Sequence, residues 1–190
     1  MRRPGLVAIG TSWGGLEALG RLLGGLRPGF SAPIVVVQHR GPSAAEGAMR
    51  HYLAERCPLT VVDAEDKDRL AAGHVYLAPP DYHLLVDVGS VALSLDAPVA
   101  YSRPSVDVLF ESAAESYGPD LVAVVLTGAN ADGSRGAVKV AEAGGRVLVQ
   151  DPEEAERPEM PAAAIATGVV HEVLTLEGLA SRLDEMDGRR

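Results

Sequence analysis

The chain of 190 residues is 47% hydrophobic and 23% charged, a balance typical of a globular domain in water. Its formal net charge of −9 argues against nucleic acid or an anionic membrane as the main partner. The single cysteine cannot form an intrachain disulfide and favours a reducing compartment. The apolar run before Gly10 is too short for a signal peptide, and no run reaches the ~18 residues of a membrane span. We therefore expect one domain over residues 1–190 in the cytoplasm, without membrane insertion.

Apolar runs alternate with helical patterns in the first third of the chain. The runs at 6–9, 34–37 and 59–62 are typical of strands that helices bury on both faces. Two helices are predicted between them, with apolar faces made by Leu16, Leu19, Leu23 and Leu26 in the first and by Ala45, Met49, Tyr52 and Leu53 in the second. This alternation predicts an α/β fold of three layers, α/β/α, around a mainly parallel, Rossmann-like doubly wound sheet.

The rest of the chain adds one element of a different kind. The alternating runs at 83–88 and 90–95 meet at Gly89 and predict an antiparallel hairpin at a sheet edge. A helix is expected from Pro104, because proline suits a first helical turn. The remaining predicted elements are strands at 121–126, 147–149 and 169–173 and helices at 134–143, after Met160 and at 176–186.

The turn after the first strand carries a serine between glycines. Gly10-Thr11-Ser12-Trp13-Gly14 fits G-x-S-x-G at a strand-to-helix turn, where a serine oxygen is exposed as a nucleophile. The same turn could instead bind a phosphate at a helix N-terminus or merely close a βαβ unit. The motif alone leaves these alternatives open.

Three side chains that could form a catalytic triad follow three different apolar strands. Ser12 follows the first, His39 the second and Asp132 the strand at 121–126. Parallel strands present their carboxyl ends at one edge, where ligands of open α/β sheets bind. A serine needs a base for its proton, and the base needs a carboxylate to orient it. The alternatives are that His39 bonds a backbone group and that Asp132 belongs to an ordinary turn and helix cap.

Backbone N–H groups beside this serine are the expected oxyanion hole. Trp13 directly follows the proposed nucleophile and is the first expected donor. Ala129, in the small-residue loop that leads to Asp132, is the expected second donor. The Trp13 ring is expected either to wall the pocket or only to pack.

Other reactive residue types give weaker signals. Cys57 precedes a proline and is expected to be a packing residue. No cluster has metal-ligand spacing, so neither a metal nor another cofactor is expected. The acidic residues Asp63, Glu65, Asp66 and Asp68 are interpreted as a solvated loop, with a cation site as a remote alternative.

Several blocks of the chain resemble the catalytic domain of the chemotaxis receptor methylesterases, the CheB type. The resemblance covers about residues 5–183 in order, through IGTSWGG, VVVQHR, GHVYLAPPDYHLL, RPSVDVLFESAA, VVLTGANADG and the late Met160-Pro161. It implies a triad of Ser12, His39 and Asp132. The implied reaction is hydrolysis of glutamyl methyl esters on receptor signalling helices, with deamidation of glutamine as a related activity. Met160 is a further candidate for substrate contact. Arg103 is a candidate for contact with the acidic surface of a receptor helix, the alternative being an ordinary loop arginine.

The chain departs from that family pattern at three points. A receiver domain, usual in chemotaxis members, is not expected here, so the site is expected to be open unless a separate regulatory protein gates it. Ala129 stands where many relatives have methionine, and Trp13 stands where a smaller residue is usual, which is expected to narrow or reshape the entrance. Two other functions are considered for the same fold: a catalytically weak adaptor in a signalling complex, and a general serine esterase.

Overall fold

The computed structural model describes residues 3–40 and 47–188. The predicted helical position Ala45 lies outside these residues. The strands are β1 (Leu6–Thr11), β2 (Ile34–Gln38), β3 (Thr60–Asp63), β4 (His74–Leu77), β5 (His83–Asp87), β6 (Ser90–Ser94), β7 (Leu121–Val125), β8 (Arg146–Gln150) and β9 (Glu172–Leu174). The α-helices are α1 (Gly15–Gly24), α2 (Ala48–Ala54), α3 (Val106–Tyr117), α4 (Ser134–Glu142), α5 (Glu159–Ala166) and α6 (Leu176–Met186).

Seven strands form one parallel sheet in the order β3-β4-β2-β1-β7-β8-β9. Helices α1, α2 and α6 bury their apolar faces against one side of the sheet. Helices α3, α4 and α5, together with the hairpin, cover the other side. Both faces of the central strands are therefore buried, which explains their continuous runs of branched apolar residues. The prediction of three layers around a parallel, doubly wound sheet is confirmed.

The central strand β1 marks the point where the strand order reverses. The chain moves from β1 towards β2 on one side and returns later to place β7 on the other. Helix α3 starts directly over β1, because a Cβ at Gly10 would overlap the Val106 side chain. Ligand sites of open α/β sheets lie at such a reversal, outside the carboxyl ends of the strands. Both the serine turn after β1 and the loop after β7 lie there.

The hairpin is not at an edge of the main sheet, in contrast to the prediction. β5 and β6 form a separate two-stranded sheet, and an isolated antiparallel bridge joins Ser90 of β6 to Arg69. Side chains of α3 replace a neighbouring strand, because Val86 N–H donates to Ser112 Oγ (3.1 Å) and Ser116 Oγ donates to Val86 O (2.9 Å). The apolar face of the hairpin is buried against that helix.

Three smaller predictions also need correction. Helix α3 begins at Val106 rather than Pro104, because Ser105 is extended and acts as the N-cap. Leu16 is 39% exposed, unlike the other leucines of its predicted face, because it lines a surface concavity beside Ser12. The last strand lies at Glu172–Leu174, slightly later than predicted. Within the described ranges, no helix combines the length and apolar character needed to cross a bilayer.

Candidate active site

The turn after β1 holds Ser12 at the carboxyl edge of the sheet. Ser12 N–H donates to Thr127 O (2.9 Å), which ties this turn to the loop after β7. Gly14 is the N-cap of α1 with φ of 75°, a left-handed conformation that glycine adopts without steric cost. At Gly15 a Cβ would overlap the Gln38 side chain. The tight turn that presents Ser12 therefore requires both glycines.

Gln38 joins the backbone of Ser12 to that of His39. Its Nε2 donates to Ser12 O (2.7 Å) and to His39 O (3.1 Å). His39 N–H donates to Thr11 O (3.1 Å), continuing the ladder between β1 and β2. The predicted nucleophile and base consequently leave adjacent strands at the same level.

His39 and Asp132 form a close pair. His39 Nε2 lies 2.7 Å from Asp132 Oδ2, and the two side chains are 12% and 1% exposed. Asp132 lies in the loop between β7 and α4, so two distant parts of the chain meet here. The structure thus brings the predicted base and its predicted orienting carboxylate together.

Ser12 is held through its backbone rather than through its hydroxyl. The hydroxyl has no hydrogen-bond partner among residues 3–40 and 47–188. Because Asp132 engages Nε2 of His39, Nδ1 is the ring nitrogen left to accept a proton. Contacts between a nucleophile and its base are often long before substrate binds.

The N-terminus of α3 forms a cradle for the Asp132 carboxylate. Oδ1 accepts from Ser105 Oγ (3.0 Å) and Asp107 N–H (2.9 Å), and Oδ2 accepts from Val106 N–H (2.7 Å) as well as from His39. Burial alone would raise the pKa of Asp132, but the hydrogen bonds from His39, Asp107 and Val106 outweigh it and lower the pKa below its ordinary value. The carboxylate is therefore charged at neutral pH and fixed in place.

A second buried carboxylate, Asp107, supports the first. Its Oδ1 accepts from the N–H groups of Gly133 (2.9 Å) and Gly136 (2.8 Å) at the start of α4. Burial raises the pKa of Asp107, and the negative charge of Asp132 acts in the same direction. Neither Asp107 nor Ser105 was predicted as a site residue, although both lie in the RPSVDVLF block.

The predicted oxyanion donors lie on two segments: Trp13 in the same turn as Ser12, and Ala129 in the loop after β7. Neither Trp13 N–H nor Ala129 N–H donates to another residue in the described part of the chain. Gly128 N–H, in contrast, donates to Arg157 O (3.0 Å). A Cβ at Gly128 would come within 2.8 Å of Ser12 Cβ, so the loop after β7 passes directly beside the serine.

The Trp13 ring lies against the loop after β8. It is 59% exposed, and its Nε1 donates to Glu156 Oε1 (2.8 Å). The Arg157 guanidinium carbon lies 5.5 Å from the ring centroid, within the range of a cation–π contact. The ring thus ties that loop to the serine turn while presenting a large apolar surface to solvent.

The two further candidates for substrate contact are bound to the protein itself. Arg103 donates to Asp81 Oδ1 (2.7 Å) and to the carbonyl oxygens of Leu95 and Asp96, so it stabilises a cleft wall. Met160 is fully buried because it packs beside Gly128, beneath the loop after β7. Both side chains therefore have structural contacts within the protein, and their contacts with substrate stay predictions.

Two open concavities flank the site. One of about 380 Å³ is lined by His39, Arg40, Asp81, Pro98, Tyr101, Ser102, Arg103 and Pro104. The other, of about 400 Å³, is lined by Ser12, Gly14, Gly15, Leu16, Glu17, Gln38 and Tyr52. A long, unbranched side chain could enter from either side.

The other reactive residues lie away from this edge. Cys57 is buried in the core between the sheet and helices α1, α2 and α6, as expected for a packing residue. Burial raises the pKa of its thiol. Asp63 pairs with Arg50, and Asp68 accepts the Glu65 N–H, within the predicted acidic loop. No group of three or more potential metal ligands occurs in the portion of the chain that the structure describes.

The arrangement is that of an α/β protein with a buried histidine–aspartate pair beside a serine at the switch point of its sheet. Residues 7–183 match the family described as CheB methylesterase. The chain belongs to this family of carboxylic ester hydrolases.

Relatives and a solved structure agree with this assignment. A putative protein-glutamate methylesterase/protein-glutamine glutaminase of Leptospira interrogans is 42% identical over 95% of this chain and 94% of its own length. Protein-glutamate methylesterase/protein-glutamine glutaminase 4 of Myxococcus xanthus is 44% identical over 95% of this chain, which spans 51% of that relative. The crystal structure of the Thermotoga maritima CheB methylesterase catalytic domain has a TM-score of 0.91 and 36% identity, covering 96% of this chain and 98% of its own.

Proposed function

We propose that this chain is a protein-glutamate methylesterase in which Ser12 is the nucleophile, His39 the general base and Asp132 the orienting carboxylate. The 2.7 Å contact between His39 and Asp132, on the strand end beside Ser12, is the observation that carries this proposal. Membership of the CheB methylesterase family supports the substrate class.

In the first half of the reaction, Ser12 Oγ attacks the carbonyl carbon of a glutamyl γ-methyl ester. The hydroxyl proton moves to Nδ1 of His39, while Asp132 accepts the Nε2–H and balances the positive charge of the ring. The carbonyl electrons move to oxygen, and the N–H groups of Trp13 and Ala129 donate to this oxyanion.

In the second half, the tetrahedral intermediate collapses and the bond to the methoxy oxygen breaks. His39 gives its proton to that oxygen, and methanol leaves an acyl-enzyme on Ser12. Water then attacks the acyl carbon with His39 again as base, and Ser12 departs with the proton as glutamate is released. A glutamine substrate would follow the same course with ammonia as the leaving group.

The proposed substrates are methylated glutamyl side chains on the signalling helices of chemotaxis-type receptors. The relatives' names include both methylesterase and glutaminase, which supports the two leaving groups. A cytoplasmic location is also proposed, and the single cysteine, which favours a reducing compartment, supports it. A separate regulatory protein is proposed as a further partner.

Methanol release from methylated receptor tests this proposal, with Ser12→Ala as the matched variant. We expect release by the wild-type chain and a loss of at least ~10³-fold in the variant. Equal rates for the two proteins would contradict the assignment of Ser12. A small aryl ester is the comparison substrate, and faster turnover of that ester than of receptor would indicate a general serine esterase instead.

A further inference from the structure

The side-chain amide of Asn130 contacts Nδ1 of His39, the ring nitrogen that Asp132 does not contact. Asn130 Oδ1 accepts the Asp132 N–H at 3.0 Å in an Asx turn, so its oxygen is directed away from the histidine. Its Nδ2 lies 3.3 Å from His39 Nδ1. The backbone contact thus decides which end of the amide meets the ring.

An amide NH₂ group can only donate a hydrogen bond. His39 Nδ1 must therefore be the acceptor, and the ring proton of neutral His39 lies on Nε2, where it is donated to Asp132. The hydrogen bonds run in one direction, from Asn130 through the ring to Asp132.

We propose that Asn130, by donating its amide N–H to His39 Nδ1, is a positioning residue that holds the base in its neutral, Nε2-protonated tautomer. The inference rests on the proposed esterase function, in which Nδ1 receives the Ser12 proton. A protonated ring would direct an Nδ1–H at the NH₂ of Asn130, with two donors facing each other. Asn130 thus favours the neutral ring, in which Nδ1 carries a lone pair, over the protonated ring.

The Asn130 side chain must leave Nδ1 when the proton of Ser12 arrives there. Asn130 is exposed, so water can replace the histidine as the acceptor for its amide. The other charged groups close to the ring are Asp132 on Nε2 and Arg40, Asp81 and Arg103 along the shared cleft. Substitution of Asn130 by alanine changes none of these four charges.

The pH dependence of kcat/KM separates this role from a merely structural one. In Asn130→Ala, loss of one hydrogen bond to the neutral ring is expected to raise the midpoint of the activity rise by ~0.5–1 pH unit. In Asn130→Asp, the backbone contact is kept but a carboxylate oxygen faces Nδ1 and favours the protonated ring, so the midpoint should rise further. Activity lost equally at all pH values, with an unchanged midpoint, would overturn the proposal.

Asn130 is the sole asparagine of the chain, so labelling with [amide-¹⁵N]asparagine gives one side-chain amide to follow by NMR. We expect its resonance to shift between pH 5 and 8, and the shift to disappear in His39→Gln. A resonance that does not change with pH, or that changes equally in His39→Gln, would overturn the proposal. This measurement needs no turnover, so failure of the esterase proposal remains distinguishable from failure of this one.

Discussion

Asp132, which lies just before α4, caps the N-terminus of α3, and Asp107, in the first turn of α3, caps the N-terminus of α4. Asp132 accepts the N–H groups of Val106 and Asp107 at the start of α3, and Asp107 accepts those of Gly133 and Gly136 at the start of α4. Negative charge at a helix N-terminus is favourable, because unpaired N–H groups and the helix dipole meet there. The proposed orienting carboxylate is thus part of a structural unit that spans two helices.

Asp107→Asn is expected to be tolerated while Asp107→Ala is not. Both N–H groups donate to Oδ1, and an asparagine oxygen can accept them. The raised pKa means that the charged form is disfavoured in the fold, so the stabilisation by this group is complete below its unfolded-state pKa and lost as pH rises through the folded-state pKa. At pH 7 we expect Asp107→Asn within ~1 kcal/mol of wild type and Asp107→Ala about 2 kcal/mol less stable by urea unfolding. Equal losses would show that the carboxylate charge itself is required.

Asp132→Asn is expected to lose both activity and stability. Both carboxylate oxygens accept backbone N–H groups, so an amide nitrogen opposes a donor in either orientation and costs about 1–3 kcal/mol. The amide can also favour the wrong tautomer of His39, for which we expect a fall of ~10³–10⁴ in kcat. Methanol release and urea unfolding measure the two effects.

Ser105→Ala serves as the matched control for Asp132→Asn. It removes one hydroxyl donor from Asp132 without touching His39. It should cost about 1 kcal/mol of stability but less than ~10-fold in kcat. A comparable loss of activity in both variants would argue that distortion of the cradle, rather than the histidine tautomer, is responsible.

Gln38→Leu is expected to impair the site with little effect on the rest of the fold. The substitution removes the amide that bridges the carbonyl groups of Ser12 and His39. We expect kcat/KM to fall ~10-fold or more, because small displacements of reacting groups are costly. Gln38→Glu should be at least as impaired, since its oxygen would face two carbonyl oxygens. Full activity in Gln38→Glu would contradict the bridging role.

Gly128→Ala should displace both Met160 and Ser12, because the added Cβ would overlap Met160 Sδ and crowd Ser12 Cβ. We expect a large loss of kcat/KM. Met160→Ala alone should lower the free energy of unfolding by ~2–5 kcal/mol, because it leaves a cavity in the core. In the double variant the new methyl group enters that cavity, so part of the activity should return, and a double-mutant cycle measures this coupling. If the effects of the two single substitutions on kcat/KM simply add in the double variant, the two positions are independent.

Acid is expected to loosen the end of α6 through Asp187. Burial opposes ionisation there, but hydrogen bonds from Ser31 and the Arg3 guanidinium outweigh it and lower the pKa of Asp187. A lowered pKa gives stability that is complete above the unfolded-state pKa and lost as pH falls through the folded-state pKa. Asp187→Asn should therefore flatten the decline in stability below about pH 4. The free energy of unfolding, measured from pH 3 to 7, checks this, and an unchanged slope would contradict it.

Strand ends are the part of this site that a sequence reveals best. Ser12, His39 and Asp132 each follow an apolar run, and parallel strands collect such positions at one edge. The alternation of runs also predicts the three layers, because periodicity reports burial directly.

Contacts between loops are not encoded in any local pattern. The cap of α3 by Asp132 depends on two helix starts that meet only after the sheet has formed. The packing of Met160 under Gly128 and the pairing of Arg103 with Asp81 are further contacts of this kind. The contact of Asn130 with His39 likewise depends on the path of the loop after β7.

The central position of β1 has a consequence for the growing chain. A nascent polypeptide that has emerged only as far as His39, one residue beyond β2, carries Ser12 and His39 without the carboxylate of Asp132. The proposed triad is complete only once β7 has paired with the far side of β1 and the loop after it has placed Asp132 beside His39. A chain that ends before this point would lack Asp132, so under the proposed function we expect no esterase activity from it.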